Sequence, residues 1–123
     1  MIFEPRVSVR ILAEGAPELK GELVRIFAPV TVEHLVKRLP LEGMAGKWGS
    51  AIYFETKVKR GAEKPVERMR AGEIGYWPPQ AAICLYHKDQ VPPAQMVKVG
   101  LMLDDPSTLR KVRAGGRVRM LRA

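Results

Sequence analysis

The sequence predicts a mostly-β fold: a closed barrel of about eight strands with two short helices, in one domain spanning residues 1–123. Three observations predict it. Short runs of alternating polar and apolar residues recur from Arg6 to Leu121, bounded by glycine and proline. Strand and helix do not alternate regularly, which argues against a doubly wound parallel sheet. Many short strands in a chain of 123 residues leave bare edges unless the sheet closes on itself.

The elements follow in order. Arg6–Ile11 places Val7, Val9 and Ile11 on one face and Arg6, Ser8 and Arg10 on the other, the period of a half-buried strand. Glu14-Gly15-Ala16-Pro17 turns the chain, and Glu22–Phe27 pairs back as a hairpin that Pro29 ends. Thr31–Leu39 is the first helix. Thr31 is placed to cap it, Glu33 suits the dipole, Val32, Leu35, Val36 and Leu39 form one apolar stripe, and Pro40 stops it. The glycine-rich run Gly43–Gly49 lacks the Gly-Lys-Ser/Thr ending of a phosphate loop and reads as a flexible connection.

Ala51–Thr56 is a strand with Ile52 and Phe54 on one face and Tyr53 and Glu55 on the other. Lys57–Lys64 is an exposed loop and Val66–Met69 a short strand. Glu73–Trp77 and Ala81–Tyr86 are strands joined through Pro78-Pro79, a rigid turn. His87–Gln95 is a mobile loop, followed by the strand Val97–Leu103. Asp105 caps a short helix with Pro106 in its first turn, ending near Val112. Gly115-Gly116 leads into a last strand, Arg117–Leu121.

Composition bounds the function. A hydrophobic share of 46% and a charged share of 28% belong to a globular chain, not a disordered one. No apolar run approaches the ~20 residues of a bilayer span, and Met1–Arg6 does not read as a signal peptide. Cys84 is the single cysteine, in the apolar run Ala81–Leu85, and reads as a small buried hydrophobe in a reducing, cytoplasmic setting. The net charge of +8 comes from two segments, 57–70 and 104–123, each carrying six Lys/Arg against two acids. Such segments can attract nucleic acid. Stacking aromatics are not interleaved with the arginines at 110–122, so a solvated, ion-paired surface is the favoured reading.

The string Ala71-Gly72-Glu73-Ile74-Gly75-Tyr76-Trp77-Pro78-Pro79, with Ala82–Tyr86 after it, resembles a prokaryotic cyclophilin-like family. Trp48-Gly49-x-x-Ile52-Tyr53-Phe54 and the closing Val97-Lys98-Val99-Gly100 … Gly116-Arg117-Val118 resemble the same family in order and spacing. The resemblance implies a cyclophilin-like β-barrel of about eight strands with helices at its open ends. Cyclophilins proper are peptidyl-prolyl isomerases. Their Phe-His-Arg strand and Phe-Met-x-Gln-Gly-Gly-Asp string are absent, so no catalytic residue is carried over. The chain also has Gln80 where the family has glycine, and His87-Lys88-Asp89-Gln90 where it often has Gly-x-Thr-Pro.

The candidate ligand-binding set is Tyr53, Glu55, Tyr76, Trp77, Gln80 and Tyr86: aromatic faces with a few polar tips, suited to a peptide or small molecule. The competing reading puts most of these rings inside the barrel or under loops. His34, His87 and Cys84 have no metal-ligand spacing, and Ser8, Ser50 and Ser107 lie in no nucleophile motif. No metal or cofactor is expected. The expected function is a binding domain, with a divergent prolyl isomerase or a basic nucleic-acid binder as alternatives.

Overall fold

The computed structural model describes residues 4–93 and 95–123. The N-terminal residues Met1 to Phe3, read above for a leader, and Ala94 of the second loop lie outside them. The chain folds as β1 (Arg6–Ala13), β2 (Leu19–Val24), α1 (Pro29–Arg38), β3 (Leu41–Met44), β4 (Gly46–Trp48), β5 (Ala51–Glu55), β6 (Glu73–Trp77), β7 (Ala82–Tyr86), β8 (Val97–Met102) and β9 (Arg117–Arg122). Short 3-10 turns occupy Arg25–Phe27, Pro78–Gln80 and Pro106–Lys111. The last is the second helix expected from sequence, and Asp105 caps it by accepting from the Ser107 N–H at 3.0 Å.

All neighbouring strands pair antiparallel, in the order β3-β9-β1-β2-β8-β6-β7-β5-β4. Alternation sends Val7, Val9, Ile11 and Ala13 of β1 inward, and Ile52 and Phe54 of β5 likewise. β2 begins at Leu19, earlier than expected, because the hairpin register sets Ile11 opposite Leu19. Its end at Val24 is also earlier, since residues 25–27 wind into a 3-10 turn.

The run Gly43–Gly49 is not a flexible connection. β3 pairs with β9 and β4 pairs with β5, so residues 41–48 join both ends of the sheet and close the barrel. Ala45 sits at the corner. Its N–H donates to the Gly116 carbonyl and its carbonyl accepts from the Gly115 N–H, both at 2.7 Å. The glycines are there for space: a Cβ on Gly43 would lie 2.8 Å from the Glu55 carbonyl oxygen, and one on Gly46 2.3 Å from the Tyr53 ring. Among the described residues the strand count is therefore nine rather than about eight. Val66–Met69 is not a strand; only Met69 forms an isolated bridge, to Gln90.

α1 packs on the barrel through Val32 and Leu35, with Val36 and Leu39 partly buried beside them, so the predicted stripe faces the core. Its cap differs from expectation. Pro29 occupies the first turn, and the N-cap Ala28 offers no side-chain bond. Thr31 lies inside the helix. The carboxylate of Glu63 takes the capping role, accepting from the Val30 N–H at 3.1 Å, the Thr31 N–H at 2.7 Å and the Thr31 hydroxyl at 2.8 Å. Glu33 is ion-paired with Arg25. Among the described residues, no helix is long and apolar enough to cross a membrane.

Candidate functional site

A strand pleat sends neighbours to opposite faces, so β5, β6 and β7 present a second surface outside the barrel. Register fixes its rows. Glu55 lies opposite Ala82, and Ala82 opposite Trp77; Tyr53 lies opposite Cys84, and Ala51 opposite Tyr86. The stretches either side of β6 and β7 fold back over this face. Met69 and Met96 pack with Ala51, Cys84 and Tyr86 in a small second core, against which Tyr53, Val66 and Trp77 are partly buried.

Beside that core is an open cavity of about 210 Å³, lined by Lys47, Trp48, Tyr53, Trp77, Gln80, Cys84 and Met96. The Trp48 and Trp77 rings are parallel within 7°, their centroids 6.4 Å apart. Trp48 is 42% exposed and Gln80 is exposed, whereas Trp77 is mostly covered. The Trp77 Nε1–H is buried and has no acceptor among the described residues. The bare Gly46 of β4 makes room for the Tyr53 ring, since a Cβ there would collide with it.

Three of the six sequence candidates thus share one cavity: Tyr53, Trp77 and Gln80. Glu55 is exposed on the same face, beyond Ala82, and does not line it. Tyr76 points the other way. It is 0% exposed in the barrel core, where its hydroxyl donates to the Val58 carbonyl and accepts from the Arg60 N–H at 2.9 Å. Burial raises its phenol pKa, against the opposing pull of the Arg60 N–H. Tyr86 is equally buried, beneath Met69 and Met96, and its hydroxyl has no partner among the described residues. Burial, with Cys84 nearby, raises its phenol pKa too.

Sequence reasoning missed Lys47, Trp48, Cys84 and Met96 as cavity walls. Trp48 carried a signal, as part of one resemblance motif, and Cys84 one as the strand neighbour in phase with Ala82 and Tyr86; Lys47 lies in the glycine-rich run read as a loop, and Met96 is brought in by the loop before β8. Cys84 is a wall and not a nucleophile: burial pushes its thiol up to about 12, so it stays protonated at neutral pH. His87 follows β7, and its imidazole pKa is lowered first by burial and then by Arg110, Lys88 and Lys47. Among the described residues, His, Cys, Asp and Glu side chains do not gather in threes as a metal site would need.

Part of the basic surface is ion-paired: Arg119 lies 3.4 Å from Glu42 and Arg122 3.5 Å from Glu4. The other charged side chains of 104–123 do not interleave with exposed rings on β9.

No curated protein matches the chain significantly. Among solved structures it is similar to the solution structure of a hypothetical protein from Archaeoglobus fulgidus. That match has 30% identity, a TM-score of 0.80 and coverage of 98% of each chain. The family model described as cyclophilin-like matches residues 7–121. With nine antiparallel strands closed by residues 41–48 and a match of that extent, the chain belongs to the cyclophilin-like family.

Proposed function

We propose that this chain is a single-domain cytoplasmic binding protein. It takes a peptide side chain or small ligand in the cavity that Trp48 and Trp77 line, without standard prolyl-isomerase catalysis. The observation that carries this reading is the cavity: aromatic residues from β4, β5 and β6 line one open pocket together with Gln80. Aromatic walls with a few polar groups are the usual make-up of a ligand pocket. Its volume of about 210 Å³ is below the ~300 Å³ lower range for drug-sized ligands, so one ring or one side chain fits. The cavity lining holds no arginine among the described residues, in keeping with the missing Phe-His-Arg strand of cyclophilins proper, and this supports binding over isomerisation.

The chain has two tryptophans and both line the cavity, so their indole N–H signals report on it. A proline-containing tetrapeptide is titrated while both signals are followed, and cis/trans exchange is measured in the same tube. Movement of the signals without acceleration, lost in Trp48→Ala with the fold intact, is the expected result. Acceleration that Trp48→Ala removes turns the reading toward an isomerase. Unmoved indoles with peptides and with single-ring compounds alike remove the binding reading.

A further inference from the structure

We propose that the cavity lined by Trp48, Tyr53 and Trp77 takes a small alkylated ammonium head, of the trimethylammonium class. This rests on the binding reading above and narrows it to one ligand chemistry. Aromatic rings carry negative faces, and several of them around one space attract a weakly hydrated cation. Here the rings come from three strands, brought to one face by register. Tyr53 lies opposite Gly46 and Trp48 opposite Ala51, while Trp77 lies opposite Ala82. Met96 adds a thioether to the wall, soft and uncharged, and Gln80 adds one amide. Such a lining receives a compact apolar cation and offers an anion no charged donor.

The charges around the cavity favour the cation. Of the lining residues, Lys47 alone is charged at neutral pH. Register sets it opposite Ile52, which faces the barrel core, and its ammonium donates to the Arg110 carbonyl at 3.3 Å. The Lys47 charge therefore belongs to the other face of β4. Lys98, opposite Gly75, is engaged elsewhere: its ammonium lies 3.1 Å from Glu73 and 4.3 Å from the centre of the Phe27 ring.

Glu55 is the acid on the cavity face, two residues along β5 from Tyr53 and opposite Ala82. It is exposed, and among the described residues no cation is ion-paired with it. Two residues of strand span about 7 Å, inside the Debye length of ~8 Å in physiological salt, so a cation beside Tyr53 feels the Glu55 charge.

Choline, its uncharged carbon analogue with a tert-butyl head, and the tert-butylacetate anion share one shape and differ in charge, which makes them the probes. Each is titrated into the ¹⁵N-labelled full chain while the indole signals of Trp48 and Trp77 are followed. Choline is expected to bind roughly fivefold more tightly than its carbon analogue, the scale of a cation–π contact near a protein surface, with the anion weakest. Trp48 is exposed, so Trp48→Leu keeps the fold and an apolar wall but removes a ring. It is expected to bring choline down to the level of the analogue, read on the Trp77 signal. Glu55→Gln is expected to weaken choline about twofold, the scale of one exposed ion pair, and leave the analogue unchanged. A tetrapeptide carrying trimethyl-lysine is titrated beside choline, and the tighter of the two tells whether the head arrives on a peptide or on a small molecule. Equal binding of the three probes, or tightest binding of the anion, overturns the inference and leaves the binding reading standing. So does a choline preference that neither variant reduces. If the proline tetrapeptide moves the indoles and no ammonium compound does, the inference falls alone. If the indoles stay still with peptides, single-ring compounds and these probes alike, both fall.

Discussion

The adjacent residues Tyr76 and Trp77 illustrate how much a single step along a strand decides. One ring fills the barrel core and the other covers the outer face. The alternation was readable in the sequence, where Tyr76 falls in phase with Ile74 and Trp77 with Gly75. What was not readable is which face the loops would cover, since Tyr86 shares the outer face and is buried all the same. The two buried tyrosines give a paired prediction. Tyr76→Phe leaves the Val58 carbonyl and the Arg60 N–H without their hydroxyl partner and should cost about 1–3 kcal/mol. Tyr86→Phe removes a hydroxyl that has no partner among the described residues, so it should be neutral or stabilising. Urea unfolding of the two variants compares them directly, and equal losses would contradict the assigned hydrogen bonds.

At the scale of the element, α1 and its cap belong to different parts of the chain. The stripe Val32, Leu35, Val36 and Leu39 and the terminal Pro40 were legible because helical spacing is local. The cap was not legible because its carboxylate comes from Glu63, 32 residues beyond Thr31. Burial works to raise the Glu63 pKa, but the Thr31 N–H and hydroxyl, the Val30 N–H and the Arg60 charge outweigh it, and the value lies below the ordinary 4.5. A carboxylate held lower in the folded state than in the unfolded state stabilises the fold above the unfolded value. That contribution is lost as pH falls from about 4.5 through the folded value. Glu63→Gln should therefore lower stability by about 1 kcal/mol at neutral pH, the scale of a lost N-cap. The wild-type and variant melting curves should converge as pH drops below 4.5. A gap that stays constant with pH would mean that Glu63 acts there by packing rather than by charge.

For the whole molecule, the resemblance and the strand periodicity carried the barrel, and the nine-strand order agrees with it. The closing segment escaped because glycine, without a side chain, signals flexibility in a sequence and close approach in a structure with equal economy. Gly43 and Gly46 separate the two meanings. Gly43→Ala would put its Cβ 2.8 Å from a backbone oxygen of β5, which a side-chain rotation cannot relieve. It should cost about 1–3 kcal/mol and raise hydrogen exchange at β3 and β5 together. Gly46→Ala meets the Tyr53 ring, which can turn away. It should cost less and act on the cavity, weakening ligand binding more than stability. If both variants lose stability equally with exchange unchanged at β3 and β5, residues 41–48 do not hold the barrel shut.

The position of β9 has a consequence for the order in which this protein can be made. It lies between β3 and β1, two strands that precede it by most of the chain, and among the described residues it is β3's only partner in the sheet. On a ribosome, β1 and β2 can form their hairpin early, yet one edge of β1 and the pairing edge of β3 stay bare until β9 emerges. Pairings this distant in sequence make folding slow, and bare edges meanwhile invite other chains. The barrel is thus finished by insertion rather than by growth at its rim. A nascent chain stalled before Arg117 would hold a nearly complete set of strands and still have no closed wall.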